Sequence, residues 1–278
     1  MKLPNQDGFS RIVKALEPYL DELVIVGAWC HRLLHLHPLA LPPVHAPLMS
    51  EDADVATPER LRPRSPSIGE ALVAAGFRPV FTGSDLLPVS KYYPNEDDKG
   101  LYVEFIAPLR GGGHTRTGDP DDTLAIAGIT AAKLRYVDLL LFEPWQLELT
   151  QGAGFEIGAD QLTVRVANAA SYLAQKVLTL ERRQNPAKRP KDALYIHDTL
   201  TMFGDALSSW REQGVRVLEQ LLPKTRHKFH TLRTELFRDP ALLLKASDIA
   251  AATGRASPPS PATIEAVCTV GLEMIFGP

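Results

Sequence analysis

Apolar residues at Phe9, Ile12, Val13, Leu16 and Leu20 recur every three or four positions, which predicts an amphipathic helix at the start of the chain. It leads into an all-apolar run at 23–26, predicted as a buried strand that stops at Gly27, where a short helix is expected to begin. A third helix is predicted over 67–75, closed by Gly76. Residues 77–93 and 101–107 are rich in strand formers and separated by Asn-Glu-Asp-Asp-Lys-Gly, a polar turn that predicts an antiparallel hairpin. Residues 135–149 and 161–166 are expected as further strands joined by a turn at 150–160. From Ala169 the period changes: Leu173, Val177 and Leu180, then Ala193, Ile196, Leu200, Phe203 and Leu207, follow helical spacing. Pro190, Pro223 and Pro240 punctuate later helices, Ser-Pro-Pro-Ser-Pro at 257–261 is a stiff connector, and a last helix is expected over 263–276. The pattern predicts an α+β chain in two parts: an α/β domain over 1–167, with a mixed sheet and flanking helices, and a helical bundle over 168–278.

Composition narrows the class. A chain of 278 residues with 45% hydrophobic content can bury two cores. Its net charge of −3 gives no global attraction to nucleic acid, so any such binding requires a local basic patch. The two cysteines, Cys30 and Cys268, lack metal-ligand spacing and are expected as buried thiols. No stretch reaches the roughly 18 to 20 apolar residues of a membrane span, and a cytoplasmic protein without membrane partners is expected.

The candidate chemistry centres on residues 24–56. Gly27 ends a strand at a place where a residue without Cβ lets the backbone approach a phosphate. Asp52 and Asp54 alternate with Ala53 and Val55, so both carboxylates leave one face of a short strand. Two like charges so placed call for a cation, and hard oxygen donors suit Mg²⁺. Glu104 sits among apolar residues in a later strand, on a solvated face or paired with another group. The helix after Gly27 is expected to carry His31, His35 and His37, but Arg32 occupies the place a zinc protease would give to glutamate, so they are read as structural. The glycine-rich run 111–122 lacks a P-loop ending and is expected as a mobile loop.

Strand, glycine, helix and then Asp-x-Asp on the next strand resembles the core signature of the polymerase-β-like nucleotidyltransferases. Two departures are plain: Ala28 stands where a second glycine or serine is usual, and the interval to Asp52 is lengthened by a Pro/His-rich insertion at 38–47. The resemblance implies a nucleotidyltransferase-fold sheet and a third carboxylate on a neighbouring strand, a position Glu104 matches. It also implies that Asp52 and Asp54 hold Mg²⁺ or Mn²⁺, while Glu104, together with Asp52, holds a second ion or deprotonates the acceptor. Gly27 and Ala28 would then contact NTP phosphates at the helix N-terminus.

Within the helical part, Lys176 lies at the margin of an apolar helix face, where a lysine ordinarily extends its stem along the core and its ammonium to water. A basic stretch follows, with Arg182, Arg183, Lys188, Arg189 and Lys191 ahead of Asp192. This layout resembles the bacterial AbiEii and Men-type toxin nucleotidyltransferases, in which a lysine helix precedes basic residues and an Arg/Lys-Asp pair. Tyr195 stands where that pattern often has a further aspartate, with Asp198 the nearest substitute. The resemblance implies that Lys176 and Arg183 bind the triphosphate and Asp192 orients Lys176 or the acceptor. It further implies that Arg182, Lys188, Arg189 and Lys191 bind an RNA acceptor, such as a tRNA end, in a toxin paired with an antitoxin. A protein or small-molecule hydroxyl, such as that of an aminoglycoside, is an alternative acceptor. A degenerate domain that binds nucleotide, RNA or a partner without catalysis is the alternative outside enzymology.

Overall fold

A computed structural model describes residues 5–277 except 49, 83–87, 95–99, 159–160, 184 and 186. The chain divides into two compact units, residues 1–36 with 49–167, and residues 37–48 with 168–278. Most of the Asn-Glu-Asp-Asp-Lys-Gly turn and the end of the 150–160 turn lie outside the described residues.

The first unit opens with α1 (Gln6–Ala15), β1 (Val24–Ile25), α2 (Gly27–Leu34), β2 (Asp52–Ala56) and α3 (Ile68–Ala74). It continues through β3 (Arg78–Thr82), β4 (Val89–Tyr93), β5 (Tyr102–Pro108), β6 (Thr123–Ile126), β7 (Ile129–Leu134), α4 (Val137–Leu140), β8 (Trp145–Leu149) and β9 (Leu162–Val166). Among the described residues the strands form one mixed sheet in the order β3-β4-β5-β2-β1-β9-β8, with β7 pairing beside β5 and β6 beside β7. Its centre is built from strands whose inward residues are fully apolar, including Ala53, Val55, Val103 and Phe105. Against it Phe9 of α1 stacks on Trp29 of α2, with ring centroids 3.9 Å apart. The helix expected over 67–75 begins with a reciprocal cap, in which the Ser67 hydroxyl accepts from the Glu70 amide and the Glu70 carboxylate accepts from the Ser67 amide.

Two parts of the β-rich reading need correction. Residues 135–149 are not one strand: Tyr136 takes a left-handed conformation (φ 65°), α4 follows, and only Trp145–Leu149 is extended. Its short apolar run, with Val137, Leu139 and Leu140 all buried, fits either period, and burial on the sheet selected the helix. Immediately before it, β6 and β7 form a hairpin the pattern does not announce. Its turn is Ala127-Gly128, both at positive φ, a geometry that Asn-Gly would have advertised and Ala-Gly does not.

The second unit contains α5 (Ala169–Leu180), α6 (Lys188–Met202), α7 (Arg211–Glu219), α8 (Pro223–Glu235), α9 (Pro240–Ala252) and α10 (Pro261–Phe276). Asn168, Asp239 and Ser260 cap α5, α9 and α10 through their side-chain oxygens. The Pro/His-rich segment groups here rather than with the sheet: the Leu41 amide donates to the Met202 carbonyl at 2.8 Å, and His37 stands edge-on to Phe203 and Trp210. The helix after Gly27 therefore ends at Leu34 and does not carry His37.

Both cysteines are buried and unlinked. Among the described residues no helix is long and apolar enough to cross a membrane.

Candidate active site

Two features of β2 and its neighbours create the site. Asp52 and Asp54 leave the same face because side chains alternate along a strand, while Ala53 and Val55 enter the core. β2 and β5 then run parallel in a register that sets Asp52 opposite Tyr102 and Asp54 opposite Glu104. Asp52, Asp54 and Glu104 each bring a carboxylate oxygen into a group whose members all lie within 4.8 Å of one another. All three are half-buried, and the Ser50 hydroxyl donates to Asp52. Oxygen-only donors at that separation are the set a hard divalent cation takes.

Gly27 completes this corner. Its φ is 62°, and a Cβ built on it would lie 2.0 Å from Asp54 Oδ2, so the bare backbone is what admits the Asp54 carboxylate. The first turn of α2 carries no side-chain cap, and Ala28, the departure from the usual second glycine, is 7% exposed there. The mutation Gly27→Ala combines a disfavoured backbone conformation, worth about 1–2 kcal/mol, with displacement of Asp54. The expected outcome is a fall in thermal midpoint together with loss of transfer activity. Unchanged activity would show that Asp54 has no fixed place against Gly27.

Residues that no sequence motif flags also border the cluster. Lys91 on β4 lies opposite Glu104 in the antiparallel β4–β5 register, with Nζ 3.2 Å from Glu104 Oε2. The same ammonium sits 4.7 Å from the centre of the Tyr102 ring, which leans on Tyr93 with centroids 4.9 Å apart. Burial, reinforced by the charges of Glu104 and Asp52, pushes the Tyr102 phenol well above its ordinary value, so it stays protonated. Only strand pairing assembles this group; alternation within Val89–Tyr93 gives no hint of what Lys91 faces.

In the helical unit, Lys176 does not extend its ammonium to water. It is 5% exposed and donates to Asp192 Oδ1 at 2.7 Å, while Arg183 Nε donates to Asp192 Oδ2 at 2.6 Å. The Lys176 ammonium also lies near the rings of Tyr172 and Tyr195, at 5.5 and 5.0 Å. Burial would raise the Asp192 carboxyl, but the Lys176 charge and the Arg183 hydrogen bond outweigh it and hold the group below its usual range. Arg182 and Lys188 are exposed, and Arg189 and Lys191 half-buried. Asp198, the alternative to the aspartate missing at Tyr195, instead receives both Arg255 guanidinium prongs, at 2.9 and 2.5 Å.

His31 on α2 and His35 at its C-terminus are structural in placement. His31 is fully buried and packs edge-on against His35, with centroids 5.8 Å apart. Among the described residues the carboxylate trio is the group of three with metal-binding geometry. The glycine-rich run 111–122 is a loop whose backbone closes on itself through a bridge between His114 and Pro120.

Sequence comparison agrees with this geometry. The profile of the nucleotidyltransferase family matches residues 9–213, and the chain belongs to that family. It is a nucleotidyltransferase with an α+β fold. No protein of curated function matches it. Among solved structures it is similar to an antigenic nucleotidyltransferase-like protein from Paracoccidioides brasiliensis, at 15% identity over 72% of this chain and 78% of that one, with a TM-score of 0.37.

Proposed function

We propose that the protein transfers an NMP from an NTP to a hydroxyl of RNA, with a tRNA end as the acceptor, in the manner of the AbiEii and Men-type toxins. The observation that carries the catalytic part is the parallel β2–β5 register, which gathers Asp52, Asp54 and Glu104 within 4.8 Å. Asp52 and Asp54 are the residues that would hold Mg²⁺ or Mn²⁺. Such an ion, when bound, offsets the charge on the triphosphate and on the departing pyrophosphate. Glu104 would share in cation binding or take the acceptor's proton. The amides at Gly27 and Ala28 suit phosphate oxygens, because they open a helix whose N-cap residue, Val26, gives no side-chain cap. The family resemblance assigns Lys176 and Arg183 to the triphosphate, and within the helical unit Asp192 fixes both side chains.

The RNA part is supported by charge. The chain is −3 overall, yet Arg182 and Arg183 after α5 and Lys188, Arg189 and Lys191 in the first turn of α6 put five basic residues within ten positions. Lys228 of α8 pairs with Glu181, which adds a further basic side chain beside them in the same unit. Such a surface binds phosphate backbones without reading sequence. A toxin role with an antitoxin partner belongs to the same proposal and follows the lysine-basic-aspartate layout at 176–192.

The test incubates the chain with each of four α-labelled NTPs, Mg²⁺ or Mn²⁺, total RNA and total protein. The native chain is expected to label RNA, and Asp52→Ala/Asp54→Ala to label nothing. Reversing charge at Arg189 and Lys191 should weaken RNA labelling and flatten its salt dependence. Label on protein or on a small acceptor would redirect the acceptor assignment. Nucleotide binding without label in any pool would favour a non-catalytic module.

A further inference from the structure

The acidic cluster contains a cation already, supplied by the chain. We propose that Lys91 is a positioning residue that occupies the second-cation place at Glu104, so that the site takes one divalent ion and not two. This rests on the reading of Asp52, Asp54 and Glu104 as the metal-binding carboxylates.

The placement of Lys91 is fixed from several sides. The β4–β5 register sets it directly across from Glu104, with Nζ 3.2 Å from Oε2. The Tyr102 ring covers the ammonium from 4.7 Å and is itself braced by Tyr93. The side chains of Lys91 and Glu104 are 25% and 23% exposed, so the pair is more sheltered than an ordinary cross-strand pair. An ordinary pair also involves two charges. Here the glutamate is simultaneously within 4.8 Å of two aspartates.

Charge balance gives the consequence. Three carboxylates offset by one ammonium leave a deficit that a single divalent ion neutralises. A second divalent ion on Glu104 Oε2 would have to sit at a normal oxygen-ligand distance, roughly 2.0–2.6 Å, from the atom the ammonium already holds. It would meet a like charge there. Glu104 therefore keeps one oxygen on Lys91 and offers the other to the ion or to the acceptor hydroxyl. Because Lys91 turns Glu104 without touching the reacting atoms, its effect should appear first in cation stoichiometry.

The experiment titrates the full chain with Mn²⁺ and follows free Mn²⁺ by electron paramagnetic resonance. The native chain is expected to bind one equivalent, Lys91→Met two, and Lys91→Arg one again. Lys91→Gln, with a different neutral shape, should repeat the result of Lys91→Met, and thermal midpoints establish that each variant is folded. Two equivalents in the native chain, or one in both the native chain and Lys91→Met, would overturn the role of Lys91 and leave the carboxylate site standing. No bound ion in the native chain would overturn the metal-site reading itself and this proposal with it.

Discussion

Asp54→Ala is expected to lower nucleotidyl transfer by about 10³-fold or more, a loss of roughly 4 kcal/mol of transition-state stabilisation. Asp54 is the carboxylate with the least freedom to be replaced by a neighbour. It faces Glu104 across the parallel register and presses against the bare backbone of Gly27. Without it, Asp52 and Glu104 remain as two oxygen donors on different strands, and Glu104 already holds Lys91. The fold should survive, because the core side of β2 is formed by Ala53, Val55 and Ala56, none of which the mutation touches. Asp54→Asn separates charge from shape: it keeps the volume beside Gly27 and should lose nearly as much activity. The check is the initial rate with α-labelled NTP beside a thermal unfolding curve. Near-native turnover in either variant, with an unchanged midpoint, would remove Asp54 from the mechanism.

The largest expected effect on stability lies in the helical unit, at Asp192. Breaking a buried ion pair by deleting one member typically costs about 3–5 kcal/mol, because the other charge is left buried. Asp192→Ala strands the Lys176 ammonium between the Tyr172 and Tyr195 rings with its carboxylate gone, so it should fall within that range. Lys176→Met should cost less, since Arg183 still donates to Asp192 Oδ2. The help from Arg183 is itself partial, because its side chain is 35% exposed and water screens it. Urea unfolding of the two variants tests the ranking, and a greater loss in Lys176→Met would contradict it.

The same pair predicts a pH dependence. The Asp192 carboxyl is held below its ordinary value, with burial opposing and Lys176 and Arg183 prevailing. A lowered folded pKa adds stability above the unfolded carboxylate value of about 3.9, and that stability disappears as pH falls through the folded value. The stability gap between the native chain and Asp192→Asn should therefore be constant near neutrality and close as the pH drops below about 4. A gap that does not shrink at all as the pH is lowered from neutrality to the acid limit of the folded chain would show that the pair is not what Asp192 contributes.

Local chemistry made much of the fold legible in the sequence. Gly27 after an apolar run, Gly76 closing the helix over 67–75, and the three-four spacing from Leu173 to Leu207 each specify local structure with no help from the rest of the chain. The same holds for half of the site: strand alternation alone puts Asp52 and Asp54 on one face. Glu104 could be singled out only through family resemblance, since a glutamate in a strand carries no mark of its partner. The break at Tyr136 and the Ala127-Gly128 hairpin were hidden for a different reason. Both depend on left-handed backbone at residues that seldom take it, and the contacts of the folded sheet impose that conformation.

The sequence by itself determined the class of element at most positions, the paired carboxylates, the glycine beside them, and the change from a sheet to a helical bundle near residue 168. Only the tertiary structure decided which strands became neighbours. That choice set Glu104 beside Asp54, placed Lys91 on Glu104, covered it with Tyr102, and drew residues 37–48 onto the helical unit. The physical reason is range. Alternation, capping and glycine geometry act within a few residues, whereas strand register and ion pairing are settled by burial and charge among segments far apart in the chain.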